Sequence, residues 1–310
     1  MKNVLITGGA GFIPASLAGA LLQTGRYRVV LVDNMLTGKK RNVIDHPDCR
    51  FVRCDVNDYP DISAVMLGHR FDLVFHYAAV VGVQRTIENP KSVLEDLKGL
   101  MNIFELSKNT GVGRVFYSSS SEVYGEPVHL PQHEFNTPLN SRLPYAVVKN
   151  VGECFCRAYQ QEFGLDYTVL RFFNTYGPLQ SDDFVVSRFL EAALAGARIP
   201  VFGDGNQTRT FCYIDDNLEL TIRALEDGLF INDVVNVGSH RLITINELAE
   251  MVISVTGSTS RVMYLPPLKE GDMSRRQPDN SRMLQALGRP LVELEEGLRK
   301  VLKSRLENRT

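Results

Sequence analysis

The sequence lacks a C-x-x-C pair, a basic excess and any long apolar run, and each absence removes a class of function. Its cysteines, at 49, 54, 154, 156 and 212, are odd in number and spaced as neither a disulfide framework nor a zinc site, so no metal is expected. Cys154-Phe-Cys156 falls in a predicted helix, where residues two apart point to different faces and cannot share a metal. All five are expected to be ordinary buried thiols. A net charge of −2, with Lys39-Lys40-Arg41 as the only basic run, gives no footprint for nucleic acid or an anionic membrane. No segment approaches the ~20 apolar residues of a membrane span. The N-terminal Met1-Lys-Asn-Val-Leu-Ile leads straight into a folded motif with no signal-peptide cleavage pattern, so a cytoplasmic location is expected.

What is present is an ordinary globular composition, 310 residues with 44% apolar and 23% charged content, enough for a large core. Short apolar runs at 3–7, 27–33, 72–77, 114–118 and 167–171 alternate with stretches of helical spacing. That alternation predicts an α/β fold built on a parallel sheet covered on both faces. After about residue 175 the pattern gives way to Gly-, Pro- and Asp-rich loops and short helices, with one more buried strand at Val234-Val-Asn-Val237. The expected organisation is a dinucleotide-binding domain over 1–175 that also receives about 211–240. A smaller, interwoven substrate lobe is expected from 176–210 and 241–310.

Gly8-Gly-Ala-Gly11-Phe12-Ile13-Pro14 follows the first strand and opens the first helix. Glycines there let the backbone turn tightly and approach a pyrophosphate, whose charge the helix N-terminus stabilises. Asp33 closes the second strand, where an acid accepts hydrogen bonds from ribose hydroxyls and repels a 2′-phosphate, so NAD is preferred over NADP. Pro14 stands in place of the usual third glycine, in a first helical turn that tolerates proline.

Tyr145-Ala-Val-Val-Lys149 puts a phenol and an ammonium four residues apart on one helix face. A cation there favours phenolate, which makes Tyr145 the candidate base for taking a hydroxyl proton while hydride leaves the carbon. Ser118-Ser-Ser-Ser-Glu-Val-Tyr-Gly125 follows the strand at Arg114-Val-Phe-Tyr117, with its serines at or just past the strand end.

With these motifs the chain resembles the extended short-chain dehydrogenases/reductases that act on nucleotide sugars, over nearly its whole length. Further matching stretches are Phe75-His-Tyr-Ala-Ala79, Arg171-Phe-Phe-Asn-Thr-Tyr-Gly-Pro178 and Gly203-Asp-Gly-Asn-Gln-Thr-Arg-Thr-Phe211. The resemblance implies a Rossmann-type doubly wound sheet and a tightly held NAD regenerated in each cycle. It assigns Gly8, Gly11, Phe12, Ile13, Asp33, Asn34, Asp55, Val56, Ala78, Ala79, Tyr145 and Lys149 to the cofactor. It gives Asn174, Val185, Phe202, Gln207, Arg209 and Arg276 to a UDP-sugar, with Arg209 on a phosphate and Phe202, Gly203 and Gln207 toward the uridine. It also implies a homodimer built on helices near 90–110 and 143–163.

Ser120 matches the position that hydrogen-bonds the reacting sugar hydroxyl, and Ser121-Glu122 is the pair found in UDP-glucuronate decarboxylases. Asp33–Asn42, Asp183–Phe189 and Asp272–Asp279 resemble the same family, the last placing Arg276 where a substrate carboxylate is held. The reaction implied is decarboxylation of UDP-glucuronate to UDP-xylose, with Tyr145, Lys149, Ser120, Ser121, Glu122 and Arg276 as the catalytic set. One departure stands against this, and two others fall near the nicotinamide side. The stretch His76–Pro90 is closer to 4-epimerases, with Val80, Val81 and Gln84 as residues that tune substrate choice, and Asp96 and Leu100 occupy positions commonly Asn and Thr. A UDP-hexose or UDP-hexuronate 4-epimerase is therefore the alternative. A 4,6-dehydratase ranks lower because Ser121 replaces the acid that expels the 6-hydroxyl. An inactive NAD-binding regulatory protein would have lost Tyr145 or Lys149, and both are present.

Overall fold

Strand β1 (Lys2–Thr7) is buried on both faces from Val4 to Thr7, as expected of a central parallel strand, in a computed structural model that describes residues 1–81, 86, 89–267 and 275–307. It pairs in parallel with β2 (Tyr27–Asp33) on one side and with β4 (Leu73–His76) on the other. β3 (Cys49–Arg53) lies beside β2, and β5 (Arg114–Ser120) beside β4. β6 (Asp166–Phe172) and then the Asp233–Val237 strand complete a seven-stranded sheet. From one edge the order is β3-β2-β1-β4-β5-β6, so the winding direction reverses between β1 and β4. In open α/β sheets ligands bind outside the carboxyl ends of the strands at such a switch point. Gly8–Gly11 leaves β1 at this point and Tyr77–Ala79 leaves β4 beside it.

The Phe12–Gln23 helix buries Pro14, Ala15, Leu17, Ala18, Leu21 and Leu22. Pro14 sits in its first turn, where a missing N–H breaks no intrahelical bond. On the β5 side, the Pro90–Thr110 and Pro144–Phe163 helices pack on each other and on the core around Val74, Val115 and Tyr117. Gly152 is what lets the second of these helices lie close to β5. A Cβ at that position would fall 2.2 Å from the Tyr117 hydroxyl oxygen.

The chain divides into two compact units. The first contains Met1–Gly125, Leu139–Arg171 and Thr221–Val235; the second contains Glu126–Pro138, Phe172–Leu220 and Asn236–Thr310. The second unit is held by small strand pairs, Thr175–Tyr176 with Cys212–Tyr213, Thr208–Arg209 with Ile243–Thr244, and Ile199–Phe202 with Val262–Leu265. Its Ile245–Thr256 helix starts with a capping box, the Thr244 hydroxyl accepting the Glu247 N–H while the Glu247 carboxylate accepts the Thr244 N–H. The excursion Glu126–Pro138 joins this unit through a backbone bond in which Gln132 N–H donates to the Gln277 carbonyl at 2.7 Å.

Two expectations need correction. β5 runs through Ser120, so Ser118–Ser120 lie within the strand, and the turn begins at Ser121. Cys154 is exposed on the Pro144–Phe163 helix while Cys156 is fully buried, because residues two apart on a helix cannot both face the core. Gln84 and Asp272–Ser274 lie outside the described residues.

Candidate active site

At the carboxyl end of β1, Gly8 takes a φ of +71°, open to glycine at little cost, and a Cβ there would lie 3.0 Å from the Ala78 backbone. The turn is thereby pressed against the chain leaving β4. Gly11 is the N-cap of the Phe12–Gln23 helix and offers no capping side chain, and the first turn holds no acid. Phe12 and Ile13 form that first turn. Asp33 is tied to the same turn, its Oδ2 accepting the Ala10 N–H at 3.0 Å and its Oδ1 accepting the Met35 N–H at 2.7 Å. Asn34 donates to Asp55 Oδ2 at 3.2 Å, and the Val56 carbonyl accepts from Asn102 at 2.9 Å. An uncapped helix start, a glycine turn too tight for side chains and a carboxylate at the end of β2 fit a dinucleotide's pyrophosphate and adenosine ribose.

Next to that turn, the Thr7 hydroxyl accepts the N–H groups of Tyr77 and Ala78, each at 3.0 Å. With both bonds arriving at its oxygen, Thr7 donates its proton to His76 Nδ1, 2.9 Å away. His76 is therefore neutral, with its proton assigned to Nε2. Burial, with the Lys149 charge behind it, pulls its pKa from 6.5 down to about 3. The composition and motif reading gave His76 and Thr7 no role, although a histidine inside an apolar strand is the visible signal. A sign follows for acid stability. The unfolded chain binds a proton at this histidine below about pH 6.5 and the folded chain does not until about 3, so stability is lost as pH falls through that window. His76→Gln should make the stability slope over that window shallower by up to about 1.4 kcal/mol per pH unit, read by urea titration at several pH values.

On β5, the Lys149 ammonium donates to the Ser118 carbonyl at 2.7 Å and to Ser118 Oγ at 3.3 Å. Its Nζ lies 5.7 Å from the centre of the Tyr145 ring, as the four-residue spacing requires. Burial pulls the Lys149 pKa from 10.5 to about 8, with the Asp96 charge acting in the opposite direction. Ser120 caps the Ser121–Tyr124 turn, its Oγ accepting the Glu122 N–H at 3.2 Å. Ser121 is buried and Glu122 half-buried. Tyr145, Lys149, Ala78 and Ala79 line one cavity together with His76, Asp96, Leu100, Tyr117 and Val148.

Behind the serines, Glu153 is fully buried and accepts from Ser119 Oγ at 2.6 Å and from Arg171 Nε and Nη2 at 2.8 and 2.7 Å. Arg171 Nη1 donates to the Tyr124 hydroxyl at 2.8 Å. The strand end and the turn after it are thus fixed at both ends by one ion pair, a network that helix periodicity alone does not reveal. Among the described residues no three His, Cys, Asp or Glu side chains are grouped as a metal site, and no described helix is long and apolar enough to cross a membrane.

The second unit carries the other candidates. Asn174 adopts a φ of +38° and donates from Nδ2 to the Thr210 carbonyl at 3.0 Å, next to Arg209. Arg209 is buried and donates to the Thr208 carbonyl at 2.7 Å. Gln207 reaches the Phe202 carbonyl at 2.9 Å, and the Arg188 guanidinium lies 5.4 Å from the centre of the Phe202 ring. Val185 opens the Val185–Leu194 helix. Arg276 is buried, one residue before the Gln277 carbonyl that anchors Gln132.

The glycine turn at a sheet switch point and the Tyr–Lys helix beside a serine-rich strand are the two halves of an NAD-dependent, extended short-chain dehydrogenase/reductase type of core. The profile of the NAD dependent epimerase/dehydratase family matches residues 4–238, and the chain belongs to that family, whose cofactor is NAD. Its relatives divide between reactions. UDP-glucuronic acid decarboxylase 1 of Danio rerio is 35% identical over 97% of this chain and 72% of its own length. The crystal structure of UDP-glucose 4-epimerase from Thermotoga maritima with UDP-glucose superposes with a TM-score of 0.93 at 32% identity, covering 100% of both chains. UDP-glucuronic acid 4-epimerase from Bacillus cereus, solved with UDP-glucuronic acid and NAD, gives 0.89 at 28% identity over 99% of this chain and 100% of that one.

Proposed function

We propose that the chain decarboxylates UDP-glucuronate to UDP-xylose through transient oxidation at C4 of the sugar. The observation that carries this reading is the turn leaving β5, where Ser120 caps a segment that begins Ser121-Glu122, the pair that resembles the decarboxylases. NAD would be held by Asp33 and the Gly8–Gly11 turn and would supply the hydride acceptor for oxidation at C4 and the donor for its later reduction. Tyr145 takes the C4 hydroxyl proton, with Lys149 favouring its phenolate and Ser120 holding the same hydroxyl. The C4 ketone makes the C6 carboxylate that of a β-keto acid. Breaking the C5–C6 bond releases CO2 and leaves its electron pair in a C4–C5 enolate. Ser121 and Glu122 position the carboxylate or a water that protonates C5, and Arg276 pairs with the carboxylate before it leaves. Tyr145 then returns its proton to O4 as C4 is reduced.

Asn174, Val185, Phe202, Gln207 and Arg209 are the proposed contacts to the UDP moiety. The domain roles follow the same division, with NAD in the first unit and the nucleotide sugar held by residues of the second, and the working form is a homodimer in the cytoplasm. A 4-epimerase is the second reading, favoured by the His76–Pro90 stretch and by the likeness to the UDP-glucuronic acid 4-epimerase structure. Incubation with UDP-glucuronate separates the two. CO2 and a UDP-pentose are expected; recovery of UDP-galacturonate alone would overturn the decarboxylase reading.

A further inference from the structure

The cavity lined by Tyr145 and Lys149 also holds a carboxylate to which the reaction above gives no task. Asp96, on the Pro90–Thr110 helix, shares the lining with Lys149, His76 and Tyr117. Its Oδ2 accepts the Val80 N–H at 2.8 Å, and the Asn57 side chain also hydrogen-bonds to it. The carboxylate is thus fixed between its helix and the chain leaving β4. It stands where the resembling sequences commonly carry asparagine, a side chain of the same shape without the charge.

Lys149 is 4% exposed, so its ammonium has given up nearly all its water. The titratable groups around it come from each element packed there. They are neutral His76 from β4, Tyr117 from β5 with its ring centre 5.3 Å from Nζ, Tyr145 from its own helix, and Asp96 from the Pro90–Thr110 helix. Of these four, Asp96 is the carboxylate. Burial lowers the Lys149 pKa and Asp96 raises it. Burial likewise raises Asp96, opposed by the Val80 N–H, Lys149 and Asn57, while Asp55 adds to the rise. Each member of the pair thus favours the charged form of the other.

We propose that Asp96 is the counter-ion of Lys149, a positioning residue that keeps the buried lysine protonated beside Tyr145 while tethering the β4 loop through Val80. The consequence for catalysis rests on the reading that Lys149 assists Tyr145; the pairing itself does not.

The test follows the Lys149 side-chain resonance by NMR across pH in the NAD-saturated enzyme, assigned by its loss in Lys149→Met. Asp96→Asn removes the charge and keeps an acceptor for Val80. In that variant the Lys149 midpoint should fall by about one pH unit, and kcat at about pH 9 should drop roughly tenfold, with KM within about twofold of wild type. A Lys149 midpoint unchanged in Asp96→Asn overturns the proposal. A midpoint that falls while the alkaline limb of kcat stays in place supports the pairing and instead removes Lys149 from the reaction. Asp96→Ala, which also loses the Val80 acceptor, should give the same lysine shift together with weaker NAD binding. An Asp96→Ala variant with weaker NAD binding but an unshifted lysine would reduce Asp96 to a loop tether and overturn the counter-ion role.

Discussion

Tyr145→Phe should lower turnover by about two or more orders of magnitude, the usual contribution of a positioned general base. The substitution keeps the ring, and with it the packing at the start of the Pro144–Phe163 helix, and removes only the hydroxyl. Lys149 remains held by the Ser118 carbonyl and Oγ, so the lysine does not collapse into the space left. NAD binding, measured by titration of the purified protein, should change little, because the glycine turn and Asp33 are held by their own hydrogen bond and the ring of residue 145 is kept. The effect should appear in kcat and kcat/KM alike, as for an interaction made in the transition state. Turnover near that of the wild type would assign the proton to another group.

Arg171→Met should cost about 3–5 kcal/mol of unfolding free energy, because it leaves the Glu153 carboxylate buried without its bidentate partner. Ser119 supplies one hydrogen bond and Arg157 stands 3.8 Å away, more than half exposed, which compensates only part of the loss. The double substitution Arg171→Met with Glu153→Leu should recover much of that stability, since a buried pair contributes little net once both charges are gone. Urea unfolding of the two variants checks both statements. Stability of Arg171→Met within about 1 kcal/mol of wild type would mean that the pair does not hold the strand end as drawn. The double variant should still turn over more slowly than wild type, because Ser119 and Tyr124 lose the partners that frame the Ser120–Glu122 turn.

The parallel sheet was legible because its central strands are continuous apolar runs, and β2 in particular spans the residues that its run marks. β3 was not, being a five-residue strand at a sheet edge interrupted by Arg50 and Arg53, where pairing with β2 decides its conformation. The cofactor residues and the Tyr145–Lys149 pair could be read from spacing, since both depend on local backbone geometry. Thr7, His76 and Glu153 escaped that reading, and Asp96 stood out only as a departure from the asparagine common at its position. Their contacts run between β1 and β4, between a helix and the chain leaving β4, and between a helix and two strands, none of which leaves a period in the sequence. The same holds for Glu126–Pro138, placed in the second unit by pairing of Gln132 with residues near 278.

Mass and NMR analysis of the product formed from UDP-glucuronate deuterated at C4, in ordinary water, tests transient C4 oxidation and decarboxylation together. A UDP-pentose lacking the C6 carboxylate, with deuterium retained at C4 and a solvent hydrogen at C5, is the expected result. A product that keeps its carboxylate, or a pentose that has lost the C4 label to solvent, would contradict it.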